Sequence, residues 1–236
     1  TKVVGQGSMS ASGSSRRSTS ASGRKRLISS LKQCKTGEEV SRFVQGIGEL
    51  KTTKEYNMVS QAWGRANHWK RTVEILAQME ESGIPPDAYS FSAAMCACQR
   101  AGEQEQVLSL LSQMKASGLQ PDEACVRVAT VSFSMRISAC EKAGQWERAQ
   151  LLLSEMREAG APPDVVSYNA AISACGKGQQ WQKALEILLD MRRAGVAPNC
   201  RSYSAAISAC EAAGQWEPAL SLLAEMREAG VKADAM

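Results

Sequence analysis

In the second half of the chain, apolar residues fall at helical spacing, in paired stripes separated by short breaks. Val165, Tyr168, Ile172 and Cys175 recur at intervals of three and four residues, which places them on one face of an α-helix. Lys177-Gly178 interrupts the run. Trp181, Ala184, Leu185, Leu188 and Met191 then form a second stripe of the amphipathic kind. Gly195 offers a left-handed stop and Pro198 prevents continuation. The pattern predicts a helical hairpin.

That hairpin returns. Trp146, Trp181 and Trp216 are 35 residues apart, as are Cys140, Cys175 and Cys210. The segment Ile137-Ser-Ala-Cys-Glu-Lys-Ala-Gly-Gln-Trp146 reappears at Ile172 and again at Ile207 with few changes. Extending the frame gives five units, 53–87, 88–122, 130–164, 165–199 and 200–234. Each carries Met at one place (Met79, Met114, Met156, Met191, Met226) and Gly four residues later. Four units end Pro-Asp or Pro-Asn and the fifth ends Ala233-Asp234. The frame is broken once, by the seven residues Glu123 to Ala129. One hairpin cannot bury both of its faces, whereas stacked neighbours can, so the period predicts an α-solenoid. Leu27-Ile-Ser-Ser-Leu31 and Glu38 to Leu50 read as a degenerate helical pair over 27–52 that caps the stack.

Composition narrows the chemistry. Aromatics at 5% disfavour a β-sandwich built on large cross-strand rings. No apolar run approaches the roughly 20 residues of a membrane-spanning helix. His68 is the single histidine, which excludes a multi-histidine metal site and a conventional Ser-His-Asp triad. No phosphate loop, nucleophile elbow or H-E-x-x-H motif is present, so the expectation is no catalytic residue and no enzyme. Cys98, Cys140, Cys175 and Cys210 hold equivalent places about one repeat apart, too far to share a metal, and are expected as buried packing residues. Cys96-Ala-Cys98 lacks the spacing of a zinc pair. No metal and no cofactor are expected. The Met series reads as a packing stripe and the Trp series as interhelical core, with His68 on the surface.

The formal charge of +4 divides unevenly. Eight basic residues and no acidic one lie between Thr1 and Lys35, leaving 20 basic against 24 acidic residues elsewhere. Residues 1–26, rich in Ser and Arg, bury too little apolar surface to offset chain entropy and are expected to be disordered. Three readings of this leader stand side by side: a transit peptide remnant, a basic arm that attracts nucleic acid, and a plain flexible terminus.

The 35-residue period, the Ser-Tyr-Asn opening at Ser167 and the Met-Arg-Glu-Ala-Gly…Pro-Asp ending resemble pentatricopeptide repeats, in the flavour found in plant and algal organelles. Tetratricopeptide repeats differ in having a period of about 34 residues and a Trp early in the first helix. Here Trp opens the second. The resemblance implies an all-α, right-handed solenoid that binds single-stranded RNA, one base per repeat. Carried over by position, the base-selecting pairs are Asn57 with Asp87, Ser92 with Asp122, Ser134 with Asp164, Asn169 with Asn199, and Ser204 with Asp234. The family's rules assign U to Asn-Asp, G to Ser-Asp and a pyrimidine (Y) to Asn-Asn, giving 5′-U-G-G-Y-G-3′. The residues that pack on the base are Lys54, Tyr89, Val131, Val166 and Arg201; the alternative for each is an ordinary inter-repeat contact.

Arg65, Arg100, Lys142 and Lys177 share one repeat position near the end of each first helix, with Ala212 in the fifth unit. A periodic cation is expected as a phosphate track; the alternative is a solvated face. The insertion 123–129 leaves two outcomes. If it loops out the five bases are contiguous, and if it rotates the stack Asp122 is displaced and the sites split. The expected partners are RNA and a processing or editing enzyme supplied in trans, with no membrane. The protein is expected as a monomer in an organelle, the chloroplast ahead of the mitochondrion. The runner-up is a protein-interaction scaffold whose groove takes a peptide or partner helix.

Overall fold

The computed structural model describes residues 30–34 and 36–231. The leader, Leu27 to Ser29 and Asp234 lie outside the described residues. Among the described residues the chain is all-α, with a 3-10 turn at Leu31–Gln33 followed by α-helices and no strand. The helices are α1 (Gly37–Ile47), α2 (Thr53–Arg65), α3 (Trp69–Glu81), α4 (Ala88–Ala101), α5 (Gln104–Ala116), α6 (Glu123–Ala143), α7 (Trp146–Glu158), α8 (Val165–Lys177), α9 (Trp181–Arg193), α10 (Cys200–Ala212) and α11 (Trp216–Glu228). The even-numbered helices from α2 to α10 are the first helices of the units. Each packs on its own second helix, and each of α2, α4, α6 and α8 on the next first helix, which makes the molecule a repeat solenoid.

Both ends of the hairpins follow from sequence chemistry. Asp87, Asp122, Asp164 and Asn199 are the N-caps of α4, α6, α8 and α10, each side chain accepting the backbone N–H of the helix's third residue. This satisfies donors that have no partner within the helix. Every second helix closes in the same way, with the carbonyls of Met79, Met114, Met156, Met191 and Met226 accepting the N–H five residues on. The intervening Gly83, Gly118, Gly160, Gly195 and Gly230 all have positive φ, the left-handed geometry of a Schellman stop.

The Met side chains are buried, as are Cys98, Cys140, Cys175 and Cys210. Burial pushes the thiols of Cys98 and Cys175 up to about 11, so they behave as inert packing groups. The main core runs from Leu76 in α3 to Met226 in α11. A second cluster joins Leu31 and Cys34 with Val40 and Ile47 of α1, Tyr56, Val59 and Ala62 of α2, and Ile75 and Met79 of α3. The segment around α1 thus packs over the first unit.

Of the Trp series, Trp216 departs from the interhelical core expected of it, while Trp146 and Trp181 pack against the main core. Trp146 and Trp181 are half-buried at the edge between units, and Trp216 is 67% exposed. The cover over Trp146 comes from the next unit: a Cβ on Gly178 would lie 2.3 Å from its ring. No such unit follows Trp216 among the described residues, and Leu223 beside it is 42% exposed where its equivalents Leu153 and Leu188 are buried. Gly178→Ala is therefore expected to force the Trp146 indole aside and destabilise the protein by about 1–3 kcal/mol, read by urea unfolding. An unchanged midpoint would contradict this packing.

Residues 123–129 neither loop out nor turn the stack. They are helical, and they make α6 a 21-residue helix where the other first helices have 13 or 14. The inserted segment carries its own apolar stripe, with Cys125, Val128 and Ala129 buried. Seven residues are close to two turns, so the rest of α6 is rotated by only about 20°. Gly144 then ends the helix with a φ of 68°.

Candidate nucleic-acid interface

The caps that start the first helices also build a polar seam along one edge of the solenoid. At its head, Asn57 Nδ2 donates to Asp87 Oδ1 at 3.2 Å, and Ser90 Oγ donates to Asn57 Oδ1 at 2.6 Å. Ser90 Oγ is also 2.8 Å from Asp87 Oδ1. The same triangle recurs at Ser134, whose hydroxyl lies 3.2 Å from Asp164 Oδ1 and 2.7 Å from Ser167 Oγ. It recurs at Asn169, which donates to Asn199 Oδ1 at 3.3 Å and accepts from Ser202 Oγ at 2.6 Å. The selecting pairs thus meet through a third residue, the serine at the third place of the following helix. The sequence reading missed this serine, although Asp or Asn followed three residues later by Ser is visible as a cap signal.

The second pair differs. Cys125 stands where the others have serine, and Asp122 Oδ1 accepts its N–H at 2.7 Å. Burial, reinforced by Asp122, pushes the Cys125 thiol up to about 12, while a hydrogen bond with Ser92 opposes the shift. Ser92 and Asp122 therefore meet across a neutral thiol. In the fifth unit Ser204 lies 3.9 Å from Cys200 Sγ, and its partner Asp234 is outside the described residues.

Burial works against the charge of Asp87. Hydrogen bonds from the Ser90 backbone and hydroxyl, the Asn57 amide and the Tyr89 backbone outweigh it and hold the carboxyl below the usual carboxylate range. A depressed carboxylate stabilises the fold above its unfolded value and loses that contribution as pH falls through its folded one. Acid titration is expected to loosen the α2–α4 contact below about pH 4, and Asp87→Asn to remove that component. Amide exchange at Ser90 is the readout, and identical acid profiles for both proteins would contradict it.

The five residues expected to pack on a base, Lys54, Tyr89, Val131, Val166 and Arg201, are all exposed. Tyr89 is 49%, Val131 38% and Val166 57% exposed, large apolar groups left open beside the buried Asn57, Ser92, Ser134 and Asn169. Tyr89 is held by a hydrogen bond from Gln61 Nε2 to its hydroxyl. The four cations are less alike. Arg65 donates to the Leu31 carbonyl at 2.8 Å, and Lys177 Nζ is 3.6 Å from Glu141 Oε1 and 3.1 Å from the Glu141 carbonyl. Arg100 Nε reaches the Cys96 carbonyl at 3.3 Å. Lys142 is exposed and has no carboxylate within ion-pair distance among the described residues.

Two clefts draw the classes together. One of 460 Å³ is lined by Arg65, Tyr89, Ser92 and Arg100, with Gln61 and Cys96. The other, of 410 Å³, is lined by Val131, Ser134, Lys142, Asp164 and Val166, with Met135, Ser138 and Ala139. In each cleft a selecting residue, an exposed flat or branched side chain and a cation face one open space. Such a site suits a planar polar ring with an attached anion.

An all-α solenoid with a repeated polar pair on one edge defines a modular repeat protein. Family comparison places it further. A PPR repeat family matches residues 128–177 and 163–211, a pentatricopeptide repeat domain matches 74–125, and a PPR repeat matches 201–231. The chain belongs to the pentatricopeptide repeat family. No curated protein matches it by sequence. The solved structures similar to it include pentatricopeptide repeat protein PPR10 from maize, 25% identical with a TM-score of 0.47, where the match covers 89% of this chain and 30% of that one. They also include the PPR domain of Arabidopsis thaliana protein-only RNase P 1 in complex with tRNA, 15% identical with a TM-score of 0.50, covering 74% of this chain and 89% of that one. Nuclear proteinaceous RNase P 2 from A. thaliana is 16% identical with a TM-score of 0.54, covering 76% of this chain and 39% of that one. The chain thus spans under half the length of two of these three.

Proposed function

We propose that the protein binds single-stranded RNA sequence-selectively, one base per repeat, along the polar seam. The observation that carries this reading is the cleft in which Ser134 and Asp164, Val131 and Val166, and Lys142 converge. Ser134 and Asp164 present short donors and acceptors to a Watson–Crick edge. Val131 and Val166 sandwich the base from either side, and Lys142 meets the phosphate. Asn57 with Asp87, Ser92 with Asp122, Asn169 with Asn199 and Ser204 with Asp234 repeat the scheme, with Lys54, Tyr89 and Arg201 as the other packing groups. Stacking on Tyr89 contributes roughly 1–3 kcal/mol per base in comparable sites. A related PPR domain was solved in complex with tRNA, in keeping with an RNA ligand here.

The role follows from the chemistry. A groove that grips unpaired bases protects a site, keeps it unfolded, or presents it to a processing or editing enzyme supplied in trans. None of the groove residues is assigned a catalytic part. The protein acts as a monomer in an organelle, the chloroplast in preference to the mitochondrion.

Fluorescence anisotropy against single-stranded and duplex RNA tests the reading. Binding to the single strand is expected to dominate. Lys142→Ala should weaken it and lower the salt slope by about 0.7. Lys177→Ala should do less, since its Nζ is already held by Glu141. Equal affinity for duplex, or an unchanged slope in Lys142→Ala, would contradict it; affinity for peptides alone would favour a protein scaffold.

A further inference from the structure

The polar triangles measure how far each first helix slides past its neighbour. In α4 and α8 the third residue, which bonds backwards, and the selecting residue, which bonds forwards, are two apart: Ser90 and Ser92, Ser167 and Asn169. In α10 Ser202 bonds backwards to Asn169, and Ser204 holds the equivalent place two residues on. In α6 the backward residue is Cys125 and the forward residue is Ser134, nine apart. The excess of seven residues moves α8 along the α6 axis by about 10 Å relative to its place in an unbroken stack. With helices packed roughly 9 Å apart, the distance from the second base site to the third grows to roughly 14 Å.

The rest of the junction agrees. Two further clefts, of 510 and 460 Å³, flank α6 on its contacts with α5 and α7, as expected where one block slides off the other. Met135, not a cation, occupies the place on α6 that is thirteenth from its start, and Lys142 lies seven residues beyond it. Arg127 stands seven residues before Ser134, on the same face within about 20°. It is exposed, with no hydrogen-bond partner and no carboxylate within ion-pair distance among the described residues.

We propose that the RNA site is bipartite: units 53–87 and 88–122 read two bases, units 130–164, 165–199 and 200–234 read three, and one or two unread nucleotides cross the step, their phosphate held by Arg127. This rests on the RNA reading above and replaces a contiguous 5′-U-G-G-Y-G-3′ by U-G, a gap, then G-Y-G.

The test is anisotropy of the full chain with RNAs carrying zero, one, two or three adenosines between UG and GCG. The wild type is expected to prefer one or two by about fivefold, and Arg127→Ala to lose most of that preference. Deleting residues 123–129 joins Asp122 to Thr130 and places Ser132 third and Ser134 fifth after the cap, regenerating an ordinary unit. That variant should prefer the ungapped RNA. A wild type that binds ungapped RNA best overturns the step and leaves the RNA reading intact. A wild type that binds no member of the series overturns the RNA reading and this inference with it.

Discussion

Replacing Ser134 by Asn is expected to turn the third base preference from G to U. The space for the amide already exists elsewhere in the seam. In the first unit Asn57 directs its NH2 to Asp87 and its oxygen to Ser90. Asp164 and Ser167 stand in the same places around Ser134, at 3.2 and 2.7 Å from its hydroxyl. Ser134→Asn therefore rebuilds the Asn57–Asp87–Ser90 triangle without new neighbours, and the amide is held with a defined orientation. The base meets an amide donor and acceptor in place of a hydroxyl. A swing of at least about tenfold between matched G and U ligands is expected, equivalent to ~1.4 kcal/mol. Paired titrations with the two RNAs measure it, and an unaltered G preference would remove Ser134 from the selecting set.

The largest effect on stability is expected at Tyr168, which is fully buried. Its hydroxyl accepts from Arg157 at 3.2 Å, and the Arg157 guanidinium lies 5.8 Å from the ring centroid. Arg157 also pairs with Asp190 of the next second helix at 3.5 Å. The arrangement repeats at Tyr203, Arg192 and Glu225, so the tyrosines anchor a ladder along the second helices. Tyr168→Ala leaves a ring-sized cavity and is expected to cost about 3–5 kcal/mol. Tyr168→Phe keeps the packing and should cost about 1 kcal/mol for the hydrogen bond. Because repeats are stabilised through their nearest neighbours, urea unfolding of Tyr168→Ala should split into two phases. A single transition near the wild-type midpoint would contradict the anchoring role.

The hairpin was legible in the sequence because its signals are local. The stripe from Trp181 to Met191 and the stop at Gly195 depend on spacing and on one left-handed residue, and both appear in α9 and its Schellman end. The dual use of Asp87, Asp122, Asp164 and Asn199 as caps and seam residues was half visible. Their partners Ser90, Ser167 and Ser202 sit in the next unit and were hidden by framing each unit alone. Trp216 shows the limit of reading by equivalence. Its place in the unit matches Trp146, yet burial there depends on a neighbour's Gly178, which is not a property of the unit.

The insertion was misleading for the same reason. Glu123 to Ala129 broke the frame and so looked like excess chain. Cys125, Val128, Ala129, Ser132 and Phe133 continue one helical stripe, and all five are buried. Periodicity at 3.6 residues carried the information that the 35-residue period obscured. The consequence is tertiary: seven residues leave the face in place and change only the axial position of everything after α6.

The most direct measurement of the central claim is selection of the full chain on a fully randomised short single-stranded RNA library, with sequencing of the retained fraction. Base reading by Asn57, Ser92, Ser134, Asn169 and Ser204 predicts enrichment of U-G followed, across an unread gap, by G-pyrimidine-G. Retained RNA with the composition of the starting library would contradict it.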